Sequence, residues 1–231
     1  MTHDVRTPLS PRLGADDRHA LRTRIHETLL MEIVDGTLPP GAALDEEHTA
    51  ERLRVPRPGV REALLTLSFQ RLVEYTGADT ARVTDTDIGE ARHIAAVLHG
   101  LYRTALLTAP WPMADDRLQA LHNCAAAHAE AAAHGDGSEA ATDEAALWET
   151  TVLTCANRPL YDAVTHLAPV WKRARRLHLS APSGHETDWG PLLDACTAGD
   201  RPRALHHLDE HWARVDQRLG HAADRPEGTL S

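Results

Sequence analysis

The chain has 231 residues, 42% of them apolar but only 4% aromatic, with five tryptophans and a single phenylalanine, Phe69. That length supports two domains with buried cores, which must be built from Leu, Val and Ala; the mixture favours helices and argues against a disordered chain. The net charge of −10 speaks against a polyanion-binding protein on average charge alone, although an average says nothing of a local basic patch.

No apolar run approaches the ~20 residues needed to span a bilayer, and the N-terminus lacks the basic and apolar regions of a signal peptide. A cytoplasmic protein with no membrane partner is expected. Cys124, Cys155 and Cys196 are odd in number, widely spaced and set in apolar helical context. They read as small buried residues rather than a disulfide framework or zinc knuckle. All basic residues except Lys172 are arginine, the better bidentate partner for bases and carboxylates.

In chain order, residues 1–17 carry Pro, Gly and Asp without periodicity and read as a flexible arm. From Arg18 to Val34, Leu21, Ile25, Leu29, Leu30 and Ile33 recur at helical spacing until "DGTLPPG" stops the helix. "LDEEHTAERL" (44–53) predicts a second, short helix, and a third runs from Pro58 to about Arg71. Two short strands are expected within 72–85, around a turn at Thr76 to Asp79. Three helices and a hairpin outline a winged helix-turn-helix over residues 18–85. Beyond Thr86 only helices are expected, over 87–108, 113–134, 139–156, 159–179, 186–198 and 202–219. The fold class is therefore mainly α, with a winged helix-turn-helix followed by an all-α six-helix bundle over 86–219. A disordered tail is expected over 220–231.

The stretch "VPRPGVREALLTL" (55–67) carries the first functional signal. Pro58 suits the first turn of a helix, and a residue before proline is pushed out of the α region, so Arg57 should stand extended at the threshold. Val60, Ala63, Leu64 and Leu67 form the core-facing stripe, which leaves Arg57 and Arg61 outside it at the end where free N–H groups favour an anion. In helix-turn-helix proteins that end meets base edges, where an arginine holding guanine O6 and N7 supplies about 1–3 kcal/mol of discrimination. The alternative is that both arginines are solvated or paired with Glu62 and Glu51.

Residues 18–83 resemble the DNA-binding domain of the GntR transcription regulators: a first helix ending in "DGTLPPG", then "LDEEHTAERLRVPR", "VREAL" and "RLVEYTG". The resemblance implies that Arg57 and Arg61 contact DNA, together with a wing tip near Gly77 and Ala78; Arg54, just before them in the chain, is added to the expected DNA contacts. The chain departs from the family pattern at Pro56, where Ser or Thr is usual, and at Arg54, where the tight turn usually has glycine. The family's frequent proline is shifted to 58, and Glu47 stands where some relatives place another arginine; these departures bear on the operator sequence. Residues 1–86 hold 11 arginines and 14 acids, a net −3, so non-specific binding should be weak. A homodimer reading an inverted-repeat operator is the expected remedy.

The second half resembles the FCD effector-binding domain of the FadR subfamily through "EAALWETTVLTCANRPLYDAV" and "DWGPLLDACTAGDRPRALHHLDEHW". In that family an aspartate and three histidines hold a divalent metal. Counting from Asn157 and Asp200 puts Glu144, Trp148, Trp189 and His211 at those positions, and an indole nitrogen cannot ligate a metal. The degenerate set implies no metal cofactor, with His185 and His207, one turn before Trp189 and His211, as conceivable substitutes. The effector pocket is expected around Arg92, Glu144, Trp148, Trp189 and His211, with Arg92 as anion anchor and a small organic acid or aromatic metabolite as ligand. The implied function is a ligand-responsive repressor and not an enzyme, since HExxH, nucleophile-elbow and phosphate-loop motifs are absent from the sequence. The alternatives are a regulator that has lost effector control, or a metal-dependent enzyme domain fused to a DNA-binding module.

Overall fold

The computed structural model describes residues 15–134, 147–153, 155–179 and 188–224. Helix α1 (Ala15–Val34) lays Ile25, Leu29 and Ile33 into the N-terminal core. Its start lies three residues before the expected Arg18. Strand β1 (Ala43–Asp45) follows, then α2 (Glu46–Leu53) and α3 (Arg57–Phe69), then β2 (Val73–Tyr75) and β3 (Thr80–Val83). The sheet order is β1-β3-β2, antiparallel throughout, with Leu44 opposite Ala81 and Glu74 opposite Arg82.

The third strand corrects the expectation of a two-stranded hairpin and of a helix beginning at residue 44. Leu44 is buried and pairs with β3, and Asp45 is the cap of α2 rather than part of it. Its Oδ1 accepts from the backbone N–H of Glu47 at 3.0 Å and of His48 at 2.9 Å, satisfying two of the helix's free donors. At the other end Arg54 adopts a left-handed backbone, φ 54°, and donates its N–H to the last turn. Helix α3 opens behind extended Pro56 (ψ 134°) and stops at Phe69, because Arg71 is left-handed at φ 61° and turns the chain into β2. The structure thus makes Pro56 the extended threshold residue and Arg57 the first helical one, one position earlier than expected.

The bundle comprises α4 (Ile88–Thr108), α5 (Asp115–Ala133), α6 (147–153), α7 (Arg158–His178), α8 (Gly190–Thr197) and α9 (Arg201–Ala223). Asp87, Asn157 and Asp200 cap α4, α7 and α9 through side-chain oxygens. Helix α4 packs on α7 and α9, and α8 packs on α9 and α5. Helix α9 passes the expected end at 219 and takes in residues 220–223, since buried Leu219 anchors its last turns despite Gly220. Cys196 is buried, with its thiol pushed up to about 12 by desolvation, whereas Cys124 and Cys155 are half-buried.

The two halves are joined through the segment after β3. Thr84 donates its hydroxyl to the Arg71 carbonyl at 2.8 Å and accepts from Arg173 Nη1 at 3.0 Å. Arg173 Nη2 also donates to the Thr84 carbonyl, and His178 Nε2 meets the Thr86 carbonyl. Arg176 lies against Gly36, whose φ of 82° and lack of a Cβ allow that approach. No helix among the described residues is long and apolar enough to cross a membrane.

Candidate nucleic-acid interface and effector site

Burying Val60, Ala63, Leu64 and Leu67 fixes the rotation of α3 and turns Arg57 and Arg61 outward, with side chains 40% and 54% exposed. Neither pairs with Glu62 or Glu51. Glu62 instead meets Arg22 at 2.8 Å across the α1–α3 contact. Arg57 Nε donates to Glu46 Oε2 at 3.1 Å, its Nη2 reaches Asp79 Oδ1 at 2.8 Å, and its Nη1 stands 3.7 Å from Glu47 Oε2. Arg61 Nε is 3.6 Å from Glu46 Oε1. The Asp79 and Glu46 carboxylates hold the Arg57 guanidinium above its ordinary pKa, Asp79 having the larger effect.

Asp79 belongs to the turn between β2 and β3, and its backbone carbonyl accepts from Glu46 N at 3.0 Å. The wing is thereby drawn against the start of α2 and α3. Gly77 and Ala78 lie exposed at the tip of that turn, with open space around Gly77. Arg54 is exposed at the end of α2. Arg57, Arg61 and the wing are therefore brought together. The pairing acids escaped the sequence reading, because Glu46 and Asp79 are 11 and 22 residues from Arg57 and only the folded sheet brings Asp79 near.

In the bundle, Trp148 on α6, Trp189 before α8 and His211 on α9 come together in the core. Trp148 and Trp189 meet edge to face at 5.1 Å, and Trp189 lies 4.6 Å from His211. Tyr102 stacks on Trp148 at 4.7 Å, while Trp212 packs against Tyr102 and Trp171 at 5.9 and 5.6 Å. Tyr102, Trp171 and Trp212 were missed by the sequence reading. For Tyr102 the signal was present, as it continues the Ala91, Ala95, Leu98 stripe of α4. Desolvation, then the nearby Arg175 and Arg214 charges, lower the His211 pKa to about 3, so the imidazole is neutral.

Arg92 lies outside this cluster. Its guanidinium makes a two-pronged pair with exposed Asp216 on α9, at 2.8 and 3.0 Å, rather than facing the core. Glu144 and His185 lie outside the described residues. Of the four positions that the family resemblance gives to a divalent metal, the described residues include Trp148, Trp189 and His211, and an indole N–H cannot ligate a metal. Among the described residues no group of three or more His, Cys, Asp or Glu side chains is placed to hold a metal ion.

Beside the cluster a cavity of about 330 Å³ opens between α8 and α9, lined by Trp189, Leu192, His207, Glu210, His211 and Arg214 among others. The indole N–H of Trp189 and Nε2 of His207 are buried there and have no hydrogen-bond partner among the described residues. Buried polar atoms in this state favour a ligand that offers the missing partner.

Fold and interface define the N-terminal half as a winged helix-turn-helix joined to a helical bundle. Residues 21–83 match the model of the bacterial regulatory proteins, gntR family, so this segment is similar to a GntR-type helix-turn-helix. The chain is 41% identical over 69 residues to the HTH-type transcriptional regulator Mce2R of Mycobacterium tuberculosis, a match spanning 29% of each protein. Less than a third of that relative's length is therefore shared at the sequence level. The whole fold is similar to that of E. coli McbR/YncC (TM-score 0.77, 19% identity, covering 88% of this chain and 99% of that one). It is also similar to a GntR transcriptional regulator from Rhodococcus sp. RHA1 (TM-score 0.74, 20% identity, covering 88% and 99%).

Proposed function

We propose that this protein is a DNA-binding transcription regulator of the FadR subfamily, a repressor that grips an inverted-repeat operator as a homodimer and responds to a small molecule in its FCD-type bundle. The observation that carries the reading is the placement of Arg57 and Arg61 on the exposed N-terminal turns of α3, beside the wing, within the segment that matches the gntR model. The cavity of about 330 Å³ is of small-ligand size. Arg214 and the Trp189 N–H suit an anionic acceptor, and the indole and imidazole faces suit a flat ring, so an organic acid or aromatic metabolite taken without metal fits best. Arg92 is left as a tie between α4 and α9, and no enzymatic role is assigned.

The test is selection of duplexes from a random-sequence pool by the full chain, repeated with Arg57→Ala and Arg61→Ala. Sequence enrichment by the unaltered chain, lost in both variants at an unchanged melting temperature, is the expected result. Enrichment that survives both substitutions removes these two arginines from the reading. Equilibrium sedimentation showing only monomer at micromolar concentration removes the dimer. A thermal-shift screen of organic acids, aromatic metabolites, Zn²⁺ and Ni²⁺ addresses the effector, since a ligand of the folded state raises stability by RT ln(1 + [L]/Kd). An organic ligand is expected to raise the melting temperature; a stoichiometric metal in untagged protein overturns the metal-free pocket.

A further inference from the structure

Among the described residues Glu46 is the sole fully buried acid, at 0% exposure. Removing a carboxylate from water is costly unless cations pair it, and an unmatched one is not retained cheaply. Glu46 sits at the first position of α2, where free N–H groups favour an anion, and each of its oxygens faces a different recognition arginine. Oε2 accepts from Arg57 Nε at 3.1 Å, and Oε1 lies 3.6 Å from Arg61 Nε, an ion pair beyond hydrogen-bond length. Oε1 has no hydrogen bond among the described residues, so the carboxylate's remaining attraction is directed at Arg61. A single rigid group under the α3 N-terminus therefore orients both side chains.

The outer edge of Arg57 is held differently. Its Nη2 bonds to Asp79 at 2.8 Å, and Asp79, on the wing turn, has a side chain 47% exposed. Water, phosphate or a base edge can replace such a partner, whereas Glu46 cannot be reached without opening the start of α2. Resting on the DNA-reading function proposed above, we infer that Glu46 is a positioning residue that keeps Arg57 and Arg61 aimed for base reading, and that Asp79 occupies the Arg57 edge until a matching base displaces it. Non-matching DNA presents no guanine O6 and N7 pair at the position where Arg57 is aimed, so giving up Asp79 is not offset there by a base contact. The two acids thus act on discrimination: one by fixing geometry, the other by penalising contacts that are only electrostatic.

The experiment uses the full chain and the duplex most enriched from the random pool, with a scrambled duplex of equal length. The ratio of the two dissociation constants is measured for the unaltered protein and for Asp79→Asn, Asp79→Glu and Glu46→Gln. Asp79→Asn is expected to tighten binding to the scrambled duplex about threefold or more and so lower the ratio. Asp79→Glu, which restores the acid, should bring the ratio back. Glu46→Gln should lower the ratio about tenfold while scrambled-duplex binding changes little, a readout that a merely structural role would not move. Ratios unchanged in Asp79→Asn and Glu46→Gln overturn the inference. Should Glu46→Gln fail to fold, an unchanged ratio in Asp79→Asn overturns it alone. An unaltered chain that enriches no sequence overturns the DNA-reading function itself, and that failure is separate from equal ratios on a duplex that was enriched.

Discussion

Arg173 on α7, 2% exposed, donates to the Thr84 hydroxyl at 3.0 Å and to the Thr84 carbonyl, tying the first residue after the wing to the interior of the bundle. Burial lowers the Arg173 pKa, partly offset by the nearby Asp85 and Glu90 charges. Replacement by methionine keeps much of the volume but strands the Thr84 acceptors. Arg173→Met is expected to cost about 2–4 kcal/mol. Calorimetry should then show the transition broadening or splitting as the two halves melt separately. Added to Thr84→Val, the loss should be less than the sum of the single losses, because the two residues share one interaction.

His211 makes stability fall with acid. Its folded pKa of about 3 lies below the ordinary 6.5, so protons bind the unfolded chain preferentially. Its neutral form is fully accommodated above pH 6.5. Between pH 6.5 and about 3 stability is lost at about 1.4 kcal/mol per pH unit from this group. Denaturant melts of His211→Gln across that window should show a flatter acid limb than the unaltered protein.

Trp189 carries much of the packing between α8, α9 and the Trp148 ring. Trp189→Ala should cost about 3–5 kcal/mol and lower Tm by on the order of 10 °C. Trp189→Phe should keep most of the stability, while a ligand bound through the indole N–H should lose affinity. Calorimetric titration with the best hit from the thermal-shift screen separates the two effects.

Arg54 pays for its left-handed backbone, a conformation that glycine adopts freely. Arg54→Gly is expected to be neutral to about 1 kcal/mol stabilising. If Arg54 also meets a phosphate, the same variant should bind duplex DNA more weakly, with the salt slope reduced by about one. A raised melting temperature with unchanged DNA affinity would remove Arg54 from the interface.

What could be read from the chain followed the range of the forces involved. The four apolar positions of α3 are all buried, because a helix stripe is written at spacings of three and four. Strand β1 was missed because three residues are too few to alternate, and its pairing with β3 lies 37 residues away, at Leu44 and Ala81. The arginines at the α3 threshold were legible from proline chemistry, but their acidic partners depend on a wing that only the fold closes. Arg92 was assigned to a pocket on helix position alone; its partner Asp216 is 124 residues distant and sits on the outer face of α9. Trp148, Trp189 and His211 converge, yet Tyr102 on α4 and Trp171 on α7 complete the cluster from helices that the spacing of residues does not relate, with Trp212 beside His211 on α9.

Helix α7 runs for 21 residues, with Pro169 inside it, and carries Trp171 in the aromatic cluster and Arg173, Arg176 and His178 on the N-terminal half. Only one residue separates Trp171 from Arg173. The halves are consequently poor candidates for exchange with those of a related protein. A chimera cut after the wing would meet a foreign α7 whose side chains do not match Thr84, Thr86 and Gly36. Grafting the N-terminal half onto another helical bundle would require transplanting that face of α7 with it.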